Sequence, residues 1–210
     1  MHSALQRLVE LAASSSPLLV ILVGPNGAGK STFYRHNLAA LDLPFVNADM
    51  IASTLVEAGA QAEEETERLA AKLADKRRQE LVAKQGSFIT ETVFSDPVGA
   101  KVQVLKDAQA MGFKIIMVFV CVESAELSVL RVRTRVLAGG HDVPVERIAA
   151  RYERMRKNVK AALGFVDFAL IVDNSSLDQP LLPVATTASG KILHRELRIA
   201  WWAEDVLSSL

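Results

Sequence analysis

The run Gly24-Pro25-Asn26-Gly27-Ala28-Gly29-Lys30-Ser31-Thr32 places glycines, one lysine and two adjacent hydroxyls in the spacing G-x-x-x-x-G-K-S/T. It follows an apolar, β-branched stretch, Leu18 to Val23, and opens onto a helical pattern, the context in which such a run cradles phosphate. Gly24, Gly27 and Gly29 admit backbone angles that turn successive N–H groups inward around a phosphate chain. The helix that follows presents its positive dipole end to the same phosphates. Lys30 then neutralises the β and γ oxygens, and the Ser31 hydroxyl is placed to hold Mg²⁺. The spacing therefore predicts that Gly24, Asn26, Gly27, Ala28, Gly29, Lys30, Ser31 and Thr32 bind ATP with Mg²⁺.

A loop of this kind also opens ABC-type transport ATPases, and two absences argue against that class. The Gly139-Gly140 pair has no Leu-Ser-Gly-Gly-Gln-like neighbours, and the apolar run Phe168–Asp173 continues into Asn174 and Ser175 rather than into a second acid. Transfer to a second substrate is the better expectation. In an open parallel sheet that substrate gathers beyond the carboxyl ends of the strands. Asn47-Ala48-Asp49 ends a short strand pattern, with Asp49 19 residues beyond Lys30, room for one helix and a return strand. A carboxylate there can take the proton of an attacking hydroxyl, and its competing role is to cap the helix beginning near Met50. Thr90-Glu91-Thr92 is a second polar cluster at a strand end, and Glu91 and Thr92 suit a sugar or ribose acceptor. From Arg131 to Lys160 nine lysines and arginines face three acids, a net of +6. Arg131 and Arg135 share one helical face while Arg133 points away; Arg147, Arg151, Arg154 and Asn158 line the outer face of the next helix. Arginines on a closing lid stabilise charge in a phosphoryl-transfer transition state, and Arg131 and Arg151 are the leading candidates. His141, at the tip of that lid, reads as structural.

The ordered set GPNGAGKST, FVNADMIA, ITETVFS, LRVRTRVLAGGHDVP, RYERM and VDNS resembles the zeta-toxin family in its compact single-domain branch, over most of residues 18–175. The resemblance implies a P-loop kinase fold. Better-known members phosphorylate a hydroxyl of UDP-N-acetylglucosamine and so starve cell-wall synthesis. On that likeness Asp49 is the base, Lys30 the ATP-binding lysine and Glu91 the acceptor-binding acid. A nucleotide sugar becomes the leading acceptor, and the resemblance admits a separate antitoxin protein as partner; with 17 residues before the first strand, no fused antitoxin-like helical domain is expected.

These residues need a scaffold, and the pattern supplies one. The continuous apolar run Leu18–Val23 and the strand candidates Phe45–Asn47, Phe88–Thr90, Lys114–Val122 and Phe168–Val172 alternate with helical spacing, which predicts an α/β fold with a parallel sheet flanked by helices. Residues 3–13 and 61–84 read as helices, the latter with Glu64 and Arg68 spaced for an i,i+4 pair. Residues 124–163 read as a helical lid, 181–193 as a hairpin turning at Ser189-Gly190, and 195–208 as a closing helix. All 210 residues fit one domain.

Composition bounds the rest. Lys plus Arg equals Asp plus Glu at 24 each, and Tyr and Trp number two each. Neutral charge with few stacking rings argues against a nucleic-acid partner, and hence against a polynucleotide or tRNA kinase of the same fold. A switch-type ATPase would call for an Asp-Glu strand end and a large partner surface. No apolar run reaches the ~20 residues of a membrane span, and one cysteine, Cys121, permits no internal disulfide, so a cytoplasmic protein with an inert core thiol is expected.

Overall fold

The computed structural model describes Gln6, Glu10 and residues 16–60, 63–137 and 144–210. Apart from Gln6 and Glu10, the helix expected over 3–13 lies outside the described residues, as do Gly139, Gly140 and His141 of the expected lid tip. Strands β1 (Leu18–Val23), β2 (Phe45–Val46), β3 (Phe88–Thr92), β4 (Lys114–Cys121) and β5 (Phe168–Asp173) run parallel; β6 (Leu182–Ala188) and β7 (Lys191–Arg195) add an antiparallel edge. The order across the sheet is β2-β3-β1-β4-β5-β6-β7. The expected hairpin turns at Ser189 and Gly190, both at positive φ, as a tight two-residue turn needs.

The sheet sits centrally because β1 is apolar at every position and buried on both faces. Alternation sends Leu18, Val20 and Leu22 to one side, against Phe33 and Leu38. Those residues belong to the short helix α1 (Lys30–Phe33) and to the π-helical turn Tyr34–Leu38 that continues it. Leu19, Ile21 and Val23 face the other side. There they meet helices α3 (Glu63–Ala83), α4 (Ala100–Ala110), α6 (Val145–Leu163) and α7 (Trp201–Leu207). Helix α2 (Ala48–Glu57) packs on α3, and α5 (Ala125–Leu137) on α6. The chain leaves β1 toward β2 on one flank and leaves β3 for β4 on the other. The adjacent carboxyl ends of β1 and β3 therefore bound an open crevice.

Packing divides the segment expected as a lid. The spacing of α6 predicts an apolar stripe of Val145, Ile148, Tyr152, Met155 and Val159; Val145, in the first turn, is exposed, while the other four are buried and from Tyr152 onward belong to the main core. That half cannot swing without opening the core. Asn158, expected on the outer face with Arg147, Arg151 and Arg154, is buried instead. Its amide donates to the carbonyls of Phe94 and Asp96, both at 2.9 Å, because the loop after β3 folds over the last turns of α6. Arg156 is buried too, bonded to Glu153 and Asp205 and lying 4.4 Å above the ring of Trp201. The closing helix starts at Trp201 rather than near 195, because Arg195 pairs in β7 and Glu196 N–H still donates to the Val184 carbonyl.

Cys121 is fully buried, with its thiol beside the Tyr152 hydroxyl, and burial pushes that thiol up to about 12. Among the described residues no helix is long and apolar enough to cross a membrane.

The core makes one direct forecast. Trp202 has no solvent exposure and meets Phe119 edge-on, with ring centroids 5.4 Å apart. Trp202→Ala should cost about 3–5 kcal/mol in urea unfolding, the range for emptying a large buried aromatic site. A loss below about 1 kcal/mol would mean that α7 does not close the core.

Candidate active site

The phosphate loop is gripped from three sides, which is why its glycines are needed. A Cβ on Gly24 would stand 2.0 Å from the Val120 carbonyl oxygen of β4, so the loop can leave β1 only without a side chain there. Gly29 has φ 92°, and a Cβ on it would come within 2.5 Å of the Asn174 amide nitrogen. Asn174, the first residue after β5, donates to the Ala28 carbonyl at 2.8 Å and accepts from Leu181 N–H at 2.9 Å. It thereby ties the loop to the segment 174–181. On the third side Gly27 lies under α5, where a Cβ would meet that of Arg131 at 3.1 Å. Arg131 thus stands over the cradle, its guanidinium donating to the Ser175 carbonyl at 3.2 Å. Burial lowers its pKa, opposed by Asp173.

Lys30 is 7 % exposed and donates to the Pro25 carbonyl at 3.0 Å. Its ammonium lies 3.5 Å from Glu91, whose carboxylate also accepts from the Ser31 hydroxyl at 3.2 Å and from the Asn47 amide at 2.9 Å. The acid that reaches the cradle therefore comes from β3, the neighbour of β1. Asp173 of β5 instead accepts from the backbone and hydroxyl of its own loop at Ser175. Asn47 does a second job: its side-chain oxygen accepts from Asp49 N–H at 2.7 Å and Met50 N–H at 3.2 Å and caps α2. Asp49 is accordingly not the cap but an exposed carboxylate in the first turn of that helix.

Beside the loop opens a cavity of about 550 Å³. Asn26, Asp49, Ser53, Glu67, Arg147 and Arg151 contribute its polar wall, and Ala48, Ala52, Val56, Ala60 and Ala71 its apolar one. Asn26 Oδ1 is buried with no hydrogen-bond partner among the described residues, an acceptor poised for a donor from outside the chain. Burial, with Arg147 adding to it, lowers the pKa of Arg151, against the pull of Glu67 and Asp49. Arg147 stands 3.9 Å from Glu64 and 3.8 Å from Glu67. Arg154 donates to the Ser95 carbonyl, and Arg133 and Arg135 are exposed.

Glu91 and Thr92, both expected to touch the acceptor, are not among the walls of this cavity. Alternation along β3 explains the split, sending Glu91 to the α1 side with Ser31 and Thr92 to the α4 side, where its hydroxyl accepts from Lys101 at 2.7 Å. Asn47 and Asn174 fall inside the runs FVNADMIA and VDNS yet no role is legible for them there, and Lys101 falls in no run, because the bonds that tie them across the fold reach partners 9 to 146 residues away.

Asn174 supplies the next forecast. Asn174→Ala removes both bonds that hold Ala28 and Leu181, at about 1 kcal/mol each, and should raise the ATP dissociation constant roughly tenfold in calorimetric titration. An unchanged constant would mean that the loop holds its shape without Asn174.

The AAA_33 family, described as an AAA domain, matches residues 19–162. Among curated proteins none matches the chain. Among solved structures the chain is similar to one from the PezAT chromosomal toxin–antitoxin system of Streptococcus pneumoniae. The two are 19 % identical, with 100 % of this chain and 85 % of that one covered, at a TM-score of 0.56. It is similar also to AvrRxo1-ORF1:ORF2 with ATP, at 17 % identity over 99 % of this chain and 69 % of that one, with a TM-score of 0.62. A proposed kinase from Chloroflexus aurantiacus j-10-fl is 20 % identical over 65 % of this chain and 77 % of its own, with a TM-score of 0.52. With the phosphate loop and the crevice between β1 and β3, the chain belongs to the AAA_33 family, and it shares its P-loop fold with the PezAT and AvrRxo1 structures.

Proposed function

We propose that this protein is a kinase that moves the γ-phosphoryl group of ATP to a hydroxyl of a small acceptor. The observation that carries the reading is the cavity beside Asn26, which puts an exposed carboxylate, Asp49, and a half-buried cation, Arg151, on the walls of one space adjoining the phosphate loop. The resemblance to the zeta-toxin family favours UDP-N-acetylglucosamine or a related nucleotide sugar as acceptor. The PezAT likeness supports adding a separate antitoxin protein as partner.

In this reading the acceptor hydroxyl rests near Asp49, which takes its proton as the oxygen attacks the γ-phosphorus. The bond from that phosphorus to the β–γ bridging oxygen breaks, and ADP leaves. Lys30 steadies the β and γ oxygens from within the cradle. Mg²⁺ takes hard oxygen ligands and few protein groups, and the Ser31 hydroxyl with the Glu91 carboxylate 3.2 Å away is a donor pair that fits it. When bound, that ion neutralises charge on the phosphate oxygens. Glu91 then serves the cradle rather than the acceptor. Arg131 from one flank and Arg151 from the other supply guanidinium groups toward the transferred phosphoryl group, whose negative charge spreads over three oxygens in the transition state.

Incubation with ATP, Mg²⁺ and a panel of UDP-sugars, nucleosides, dinucleotides and 5′-hydroxyl RNA should yield one product heavier by a single phosphoryl group. Lys30→Ala should abolish it, and Asp49→Asn should slow single-turnover transfer roughly 10²-fold or more at unchanged ATP affinity. Full transfer by either variant sinks the assignment, and preference for the RNA moves the protein to a polynucleotide kinase.

The arginines can be tested apart from the base. Lysine keeps the charge but not the planar fork, so Arg131→Lys and Arg151→Lys should each lower kcat roughly tenfold or more, with the ATP dissociation constant within a few-fold. Arg133→Lys, on the exposed face of α5, should change neither. Equal losses at all three positions would return these side chains to the solvated surface.

A further inference from the structure

The wall of the acceptor cavity holds one polar group that neither the phosphate loop nor the transfer step uses. Thr66, the fourth residue of α3, is only 6 % exposed and lines the cavity. Its hydroxyl has no hydrogen-bond partner among the described residues. The unpartnered side-chain atoms that are sealed from solvent belong to other residues, Asn26, Ser128, Arg156, Thr187 and Trp202. The Thr66 oxygen is therefore reached from the cavity. A hydroxyl held out of bulk water without a partner is costly, and an occupant of the cavity is the partner this one lacks.

Its place along the helix sets what it can read. Helices α2 and α3 pack on one another and are joined by residues 58–62 alone, so they run antiparallel. The later part of α3 bears this out. Arg78 donates to the Thr90 hydroxyl at 3.0 Å, and that hydroxyl donates to the Val46 carbonyl at 3.0 Å, beside the start of α2. Thr66 precedes Arg78 by twelve residues, about 18 Å back along the helix, and so stands by the last turn of α2. Asp49 occupies the first turn of α2, at the opposite end of the cavity, with Ser53 one turn on and Val56 and Ala60 beyond it. The cavity thus runs about 10 Å or more along α2, from the carboxylate beside the phosphate loop to the Thr66 hydroxyl. At the far end the walls are Val56 and Ala60, and the charges there are already matched, since Arg147 stands 3.9 Å from Glu64 and 3.8 Å from Glu67. An ionised group would lose its water there without gaining a free counter-charge. A hydroxyl or an amide meets a hydroxyl that can donate to it or accept from it.

We propose that Thr66 is a specificity-determining residue: its hydroxyl binds an uncharged hydrogen-bonding group, a hydroxyl or an amide, at the end of an elongated acceptor remote from the oxygen that is phosphorylated. The inference rests on the kinase reading for the reacting end of that molecule and on the cavity alone for its remote end. Binding energy gathered at Thr66 holds the reacting hydroxyl near Asp49, so a molecule too short to reach Thr66 is a poor acceptor.

Two variants separate the hydroxyl from the shape: Thr66→Val keeps the volume and removes the hydroxyl, and Thr66→Ser keeps the hydroxyl. Full-length protein loaded with a non-hydrolysable ATP analogue and Mg²⁺ is titrated calorimetrically with dinucleotides and UDP-sugars, which span the cavity, and with free monosaccharides, which do not. Thr66→Val should weaken the tightest-binding long compound roughly fivefold, the scale of one neutral hydrogen bond, while Thr66→Ser stays within about twofold of wild type. Binding of the monosaccharides and of the analogue should not change. Without ligand, Thr66→Val should melt at the wild-type temperature or above it, because a methyl replaces an unmatched hydroxyl. Affinity that is equal in wild type and Thr66→Val for every compound, an equal loss for long and short compounds, or an equal loss in Thr66→Ser overturns the assignment. A lowered melting temperature in Thr66→Val also overturns it, since the hydroxyl would then be bonded within the fold, and so does the failure of every long compound to bind. The kinase reading fails separately. Long compounds that bind through Thr66 but receive no phosphoryl group keep the subsite and remove the transfer, and transfer indifferent to Thr66 does the reverse.

Discussion

The carboxylate of Glu91 is the tie on which the arrangement of the site depends. It meets the Lys30 ammonium, the Ser31 hydroxyl and the Asn47 amide, and so joins the phosphate loop, the end of β2 and the end of β3 through one side chain. Asn47 passes the constraint on by capping α2, which sets the direction of Asp49. A charge-assisted tie of this kind, largely out of water, is stronger than the same bonds at the surface. Asp49 and the phosphate cradle thus belong to one hydrogen-bonded unit although 19 residues separate Asp49 from Lys30.

A second unit answers it from across the loop. Asn174 holds the Ala28 carbonyl, while Arg131 leans over Gly27 and binds the Ser175 carbonyl. The cradle is therefore shaped by the segment after β5 as much as by its own glycines. The crevice has a polar, pre-organised wall on each side. Such pre-organisation is what electrostatic stabilisation of a travelling phosphoryl group requires, since dipoles already in place need no rearrangement at the moment of reaction.

The sequence was most legible where a local rule acts alone. Leu18 to Val23 could only be a strand covered on both faces, the loop after it carries its own spacing, and Ser189-Gly190 marks a hairpin without help from the rest of the chain. It was least legible where pairing decides. Which strand neighbours β1 is a property of the whole sheet, so the sequence could place Glu91 at a strand end but not beside Lys30 and Ser31, where the pairing of β3 with β1 brings it. Helical period told the inner face of α6 from the outer, yet it could not foresee that the loop after β3 would fold over Asn158.

The burial of Cys121 has a use beyond packing. Disulfide exchange and alkylation proceed through an exposed thiolate, and this sulfur, at the carboxyl end of β4 beneath Tyr152, is neither exposed nor ionised in the folded chain. It becomes reactive only in molecules whose central sheet has opened. The rate at which a thiol reagent consumes the single cysteine therefore counts openings of the core, and it does so without a label or an engineered probe. Ligands that stabilise the closed crevice would slow that clock, so the chain carries its own reporter of whatever binds it.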